Sequence, residues 1–387
     1  MGCRRFILCC LLSLIVLGLA ACDPYERSRN KRDARAQQNT GDIDIAVIWP
    51  EDQSTGLFTE GVVLAAEEIN ATGVYDGRRI KLHFYNETSL NKSKQIARQV
   101  AANPDIVAAI GHYGSSASLP AAVTYEYNGV LYMSPVATSP ALTRFGFDFL
   151  FRNIPSDAEI SAAILQYCQK KNWKNAALVY VRGDYGRNFV EIMQEEAFRH
   201  DINIATLASY AEDQQDFRRM IMELRRYEYD FVFIADVVPR AAKFIRQFRA
   251  MGGTEPFIGG DGLDSYLLWD VAGTAANGTV VATTFDAAID NPRIRDFVDS
   301  FAARYKGRQP DFLAAQGYDA LMVIANAMRA GKSSVPIEVA STLRFSFSWE
   351  GVLGQYSIEL DGSIRDKEIA FKTLQNGTFI MEQGFTD

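Results

Sequence analysis

Cysteine is scarce in this 387-residue chain: there are five, four of them at positions 3, 9, 10 and 22, so Cys168 stands alone in the rest. Beyond Cys22 no disulfide can form within one chain and no cysteine pair can hold zinc. The lone thiol, in LQYCQKK, reads as a buried helix residue rather than a reactive one. Histidine is scarcer still. His83, His112 and His200 are too scattered to suggest a metal site, and HExxH, GxSxG and P-loop motifs are all missing. His112 precedes Ser115 by three positions, but no acid accompanies the pair, so no nucleophile, reaction, cofactor or metal is assigned and no enzyme is expected. Lysine and arginine form no stripe interleaved with aromatics, and the formal charge is −7, which disfavours nucleic acid because phosphate attraction supplies most of its nonspecific affinity. Apolar runs of the roughly 20 residues that a membrane-spanning helix needs do not occur, nor do tandem repeats.

What is present begins at the amino terminus. MGCRRFILCCLLSLIVLGLAAC opens with Arg4 and Arg5, continues uncharged from Phe6 to Gly18, and places small Ala20 and Ala21 just before Cys22. Small residues ahead of a cysteine suit the narrow cleft of a signal peptidase, and the run resembles a lipobox. The expectation is a lipoprotein signal over residues 1–21, with lipidation of Cys22 giving an anchor strengthened by ~0.8 kcal/mol per buried methylene. Residues 23–41, DPYERSRNKRDARAQQNTG, are nearly devoid of apolar side chains. With Cys22 they are expected to form a disordered linker, too polar to offset chain entropy, with an r.m.s. span of about 25 Å.

From Asp42 onward short β-rich runs alternate with amphipathic stretches, the pattern of βαβ units and parallel sheets. IDIAVIW predicts a strand and Thr59 to Asn70 a helix. RIKLHFY, DIVAAIG and GVLYMSP continue the series, and a second set starts near Ala176 with AALVYV, INIATLA, DFVFIAD and PFIGGDG. Two α/β lobes follow.

The informative constellation is GHYGSSASLPAA, Gly111 to Ala122, followed by LYMSPVATSPAL, Leu131 to Leu142. A strand ends in glycine and a serine pair opens a helix, so free N–H groups and the Ser115 and Ser116 hydroxyls face whatever lies at that terminus. An ordinary N-cap fits as well. A carboxylate there would gain directed hydrogen bonds and the macrodipole, at the strand edge where α/β sheets bind ligands.

These segments, in order with IAVIWP and GVVLAAEEIN, the DYG at Asp184 to Gly186, DFRRMIMELRRYEYDFVFIAD, PFIGGDG and QGYDA at Gln316 to Ala320, resemble the type I periplasmic substrate-binding proteins of the leucine/isoleucine/valine-binding class that feed ABC transporters. The resemblance covers nearly the whole body. It implies an α/β fold of the periplasmic-binding-protein-like type I, two Rossmann-like lobes joined by a three-crossover hinge. The first lobe is expected over 42–155 plus about 286–340, the second over 156–285 plus about 341–387.

Carried over residue by residue, the resemblance puts a ligand α-carboxylate on Ser115 with Ser116 beside it. The Val136 carbonyl and Thr138 clasp the ammonium and carboxylate, Tyr185 contributes from the second lobe, and Asp261 pairs with the ammonium where glutamate would be expected. A buried amine needs acceptors and a counter-charge. Two features depart from the family: Val237 stands where a tyrosine often contacts the carboxylate, and the first loop, WPEDQSTGLFTEG, is short. Asp236 is a candidate to compensate, or is structural; Trp49, Phe58 and Tyr113 are candidates to wall the ligand's side chain, or are core. The implied protein is a monomeric, lipid-anchored, extracytoplasmic solute-binding protein that delivers a small amino acid or similar zwitterion to permease and ATPase subunits. A ligand-sensing or cell-wall-synthase-regulating lipoprotein of the same fold is the alternative.

Overall fold

A computed structural model describes residues 24–52, 56–346 and 348–384. The expected signal over residues 1–21 and the lipidation expected at Cys22 lie outside the described residues. The first element is helix α1 (Pro24–Gln38), and the chain then enters a five-stranded sheet, β1 (Ile43–Trp49), β2 (Ile80–Asn86), β3 (Ile106–Gly111), β4 (Leu131–Ser134) and β5 (Leu150–Arg152). The order is β2-β1-β3-β4-β5 and every pairing is parallel. Helices α2 (Phe58–Thr72), α3 (Leu90–Ala102) and α4 (Ser115–Asn128) form the crossovers. All six residues of β3 are buried, the consequence of helices covering both faces of a parallel sheet.

The chain leaves this lobe after β5 and builds a second around α5 (Asp157–Lys170), β6 (Asn175–Val181), α6 (Asp184–Ala197), β7 (Asn203–Tyr210), α7 (Arg218–Leu224), β8 (Phe231–Ala235), α8 (Arg240–Ala250), β9 (Phe257–Gly259), α9 (Leu267–Ala272) and β10 (Val280–Thr283). It then returns to the first lobe through α10 (Pro292–Arg304), α11 (Phe312–Gly331), α12 (Pro336–Ser346) and a small antiparallel sheet, β11 (Ser348–Gly351), β12 (Gly354–Ile358) and β13 (Ile364–Arg365). Strands β14 (Ala370–Gln375) and β15 (Thr378–Met381) complete the second sheet in the order β15-β14-β10-β9-β8-β6-β7. The chain thus passes between lobes three times. Helix α11 lies so close to α2 that a Cβ on Gly61 would sit 1.9 Å from the Ala314 carbonyl oxygen, a contact that only glycine permits. Among the described residues no helix is long and apolar enough to cross a membrane.

Two expectations need correction. The third passage between lobes falls after Arg365, not near 341: Val352, Leu353, Tyr356, Ile358 and Ile364 belong to the same buried cluster as β1 and α11, because β11–β13 bury their apolar face against the first lobe. The larger correction concerns residues 23–41. Most of this segment is helical and docked, with Ala36 in the first-lobe core. Its composition is poor in apolar residues, but arginine anchors it instead. The Arg32 guanidinium, fully buried, donates to the carbonyl oxygens of Ala101 (2.6 Å), Asn103 (2.6 Å), Ile106 (2.7 Å) and Asn128 (3.0 Å). Ala101, Asn103 and Asn128 end α3 and α4, where helices leave carbonyls without partners and present the negative end of the macrodipole. Arg29 reaches Glu126 at 3.2 Å and Arg35 reaches Asp105 at 2.8 Å. Burial pulls the Arg32 pKa down to about 10, which leaves it charged at neutral pH.

Candidate functional site

The carboxyl ends of the parallel strands of both sheets face one cleft. From the first lobe, β3 ends at Gly111 and the chain turns through Gly114, the N-cap of α4, to present Ser115 and Ser116. From the second lobe, β6 leads to Tyr185 in the first turn of α6, and β9 leads to Asp261. Between them lies a cavity of about 360 Å³. Its first-lobe wall includes Tyr113, Ser115, Ser116 and Val136; its second-lobe wall includes Val181, Tyr185, Val237, Asp261 and Gly262. Phe312 and Leu313, at the start of α11, also line it.

Unmet hydrogen-bonding capacity marks the site. Ser115 Oγ, Tyr185 Oη and Asp261 Oδ1 are shielded from solvent and have no partner, although buried polar groups are normally satisfied. They come from both lobes, and their mixture of hydroxyl and carboxylate suits a small molecule carrying both charges. Burial raises the Asp261 carboxyl to about 7; the Asp264 charge adds to the rise, and the amides of Asp261 and Gly262 oppose it. Burial, with the Asp236 and Asp261 charges, lifts the Tyr113 hydroxyl to about 12. Gly262 permits this crowding, since a Cβ there would lie 2.7 Å from the Asp236 carbonyl oxygen and 3.1 Å from the Tyr185 hydroxyl.

A model of the family described as periplasmic binding protein matches residues 43–370. The chain belongs to that family. Among curated relatives, the Leu/Ile/Val-binding protein of Citrobacter freundii is 26% identical over 345 residues, covering 87% of this chain and 92% of its own. Among solved structures, an ABC transporter substrate-binding protein from Desulfitobacterium hafniense in complex with Leu is 31% identical, with a TM-score of 0.78 over 88% of this chain and all of that one, 100%. The leucine binding protein LivK of Thermotoga maritima is 25% identical, with a TM-score of 0.81 over 88% and 97% of the two chains.

Within this binding-protein fold not all the residues singled out from sequence reach the cavity with free groups. Ser115, Ser116, Val136, Tyr185, Asp261, Tyr113 and Val237 share the cavity wall. Thr138 is fully buried with an unpartnered hydroxyl and does not line the cavity. Trp49 is core: it stacks on Phe58 at 3.8 Å and meets Tyr113 edge-on at 5.1 Å. Asp236 borders the cavity, yet its carboxylate is already engaged by Arg240 Nε at 2.7 Å and the Tyr210 hydroxyl at 2.6 Å, so it is structural. His112 spends both ring nitrogens elsewhere, on Ser93 and Glu87 through Nδ1 and on Tyr125 through Nε2, which leaves none for Ser115. Cys168 is fully buried, and burial pushes its thiol up, away from the reactive thiolate. Sequence reasoning missed Phe312 and Leu313, which follow no local motif and arrive only through the return of the chain to the first lobe. It also missed Asp264, buried on Lys372 at 2.6 Å.

Proposed function

We propose that the chain is the extracytoplasmic, lipid-anchored binding component of an ABC importer, acting as a monomer that captures an aliphatic amino acid between its lobes and presents it to permease and ATPase subunits. The observation that carries this reading is the set of unpartnered buried groups, Ser115 Oγ on one lobe with Tyr185 Oη and Asp261 Oδ1 on the other, around one cavity walled by valines and aromatics. The carboxylate of such a ligand meets Ser115, Ser116 and the α4 amino terminus, where anions are favoured. Its ammonium meets Asp261. The side chain meets Val136, Val237 and Leu313, which offer apolar contact, while Asp184, Glu212 and Arg240 also border the cavity. Cleavage before Cys22 and acylation of its thiol would hold the protein at the membrane.

Titration calorimetry of the full chain in detergent, against the common amino acids and their amide, amine and acid analogues, tests the ligand class. The tightest binding is expected with both charged groups present and an apolar side chain. Deleting either charge strands buried partners at roughly 1–3 kcal/mol per group, a loss of about tenfold or more. Equal affinity for a carboxylic acid lacking the amine would refute the role of Asp261.

A further inference from the structure

Exposed apolar side chains concentrate on one part of the first lobe. Among the described residues four large apolar side chains are at least 60% exposed, and three of them, Phe145 (60%), Phe345 (73%) and Leu360 (66%), are gathered around Arg344. That guanidinium donates from Nε to the Leu360 carbonyl oxygen at 2.8 Å and from Nη2 to the Phe147 carbonyl oxygen at 2.7 Å, and the Phe147 ring stacks on that of Phe145 with centroids 5.6 Å apart. Arg344 is itself the chain neighbour of Phe345 at the end of α12. Three segments distant in sequence, the β4–β5 loop, the end of α12 and the β12–β13 turn, each bring one apolar tip to this place. Grouped apolar exposure of this kind marks a surface that something covers.

Where α1 begins indicates what covers it. Tyr25, in its first turn, sets its ring 4.6 Å from that of Tyr127, and both remain about half exposed. Arg29, one turn on, lies over the Phe149 ring at 5.4 Å and pairs with Glu126, whose other carboxylate oxygen accepts from the Phe149 N–H at 3.0 Å. The amino end of α1 therefore adjoins the loop that carries Phe145, just before β5 and at the sheet edge opposite the cleft. Cys22 is two positions before Pro24, a Cα-to-Cα reach of about 8 Å at most. With α1 seated, a single residue separates an acylated Cys22 from the folded body, too short a tether to hold that body off a bilayer. The exposed charges nearby cancel, Arg27, Lys31 and Arg144 against Glu26, Asp148 and Asp361. Aromatic and aliphatic tips among balanced charges suit the headgroup boundary of a membrane rather than a strongly charged partner.

We propose that this face of the first lobe seats on the lipid bilayer, with Phe145, Phe345 and Leu360 entering the headgroup boundary and Tyr25 and Tyr127 beside the acylated terminus. This rests on the proposed lipid anchor at Cys22 and goes beyond it: acyl chains hold the protein at the membrane, whereas the face sets which way it points. Seating requires α1 in place. A released α1 becomes part of a tether with an r.m.s. span of about 25 Å, and the body is then free to turn. Because the exposed charges cancel, seating is insensitive to salt and to the fraction of anionic lipid, unlike the attachment of a basic surface.

The test uses the acylated chain, cleaved before Cys22, in vesicles of phosphatidylethanolamine and phosphatidylglycerol. A fluorophore is placed on Arg144→Cys or, as a reference on the second lobe, on the exposed position Arg226→Cys; Cys168 is buried and takes no label. Nitroxide carried on lipid headgroups is expected to quench the Arg144→Cys label several-fold more than the Arg226→Cys label, at low and high salt alike. Adding Phe145→Ser, Phe345→Ser and Leu360→Ser together is expected to lower the ratio of seated to unseated protein at least about tenfold. Quenching then falls to the reference while the chain still floats with the vesicles. Arg32→Met is expected to do the same by releasing α1. The three substituted side chains are exposed, so the melting temperature is expected to stay at that of the parent, which checks folding. Equal quenching at the two positions in a parent chain that floats with the vesicles overturns the seated face and leaves the anchor standing. A parent chain that carries no acyl group and does not float overturns the anchor and this inference together. Shielding of the Arg144→Cys label from aqueous iodide that rises with protein density, without headgroup quenching, assigns the face to a second copy of the chain and overturns the bilayer as its occupant.

Discussion

The docked helix α1 offers the sharpest perturbation, because one side chain holds it. Replacing Arg32 by Met keeps much of the volume and removes four hydrogen bonds to the carbonyls of Ala101, Asn103, Ile106 and Asn128. Hydrogen bonds to a charged donor contribute about 1.5–3 kcal/mol each when measured singly, and they are not additive. Removing a guanidinium also recovers the cost of burying it, which its lowered pKa reflects. A net loss of about 3–4 kcal/mol of docking energy is a reasonable sum, which shifts the docking equilibrium by at least about a hundredfold. The readout is limited trypsin digestion of the full chain followed by mass spectrometry. Arg27, Arg29, Lys31 and Arg35 remain as cleavage sites in the variant, and a helix must open locally before a protease can cut it. The parent segment is expected to survive at least about a hundred times longer than Arg32→Met, and exposed Lys31→Met is expected to behave as the parent. Equal cutting rates in parent and Arg32→Met would refute the reasoning, and fast cutting of both would return the segment to the status of a free linker.

Three further outcomes are expected. Metabolic labelling with a fatty acid marks the parent chain and not Cys22→Ser, since only a thiol accepts the diacylglyceryl group; a labelled serine variant would remove the lipoprotein proposal. In the ligand-free protein the raised pKa of Asp157 means that its contribution to stability is full below about pH 4 and is lost as pH rises through 7. The melting temperature of Asp157→Asn relative to the parent is therefore expected to improve between pH 5 and pH 8, and a difference independent of pH would count against the shift. Small-angle scattering is expected to show compaction with saturating ligand for the parent, and for Ser115→Ala at higher ligand concentration, but little for Asp261→Ala, because a ligand favours closure only through contacts it gains in the closed form. Full compaction of Asp261→Ala at equal occupancy would argue against a clamp across the lobes.

The strands and the Ser115 corner were legible because their signals are local. Buried parallel strands such as β3 must be apolar throughout, and a glycine followed by serines at a strand end has few structural readings. Asp261 was singled out only through the family resemblance, which the segment PFIGGDG helps to carry. What escaped notice depends on contacts distant in sequence. Arg32 reads as a solvated charge until α3 and α4 end their carbonyls around it, and no composition rule registers an arginine that replaces an apolar anchor. Trp49 reads as a pocket wall because it ends a strand at the correct edge, yet Phe58 and Tyr113 enclose it. Asp157 sits in PSDAE, where Ser156 and Glu159 give a complete capping signal that accounts for every polar residue except Asp157 itself. Only the burial of its two oxygens separates it from an ordinary first-turn acid.

The anchor side and the ligand side of the first lobe lie at opposite edges of one sheet. Arg32 binds the carbonyl of Ile106, the first residue of β3, while Gly111 at the other end of the same strand leads into Ser115. A seated α1 therefore ties the amino-terminal end of the chain to the first lobe without touching the cleft. If Cys22, two positions before α1, carries the lipid, the first lobe is the one whose position relative to the bilayer is constrained, and closure is a movement of the second lobe toward it. On that reading Tyr185 and Asp261 supply the contacts that a ligand would gain on closure, while Ser115 would retain it from the side that stays fixed.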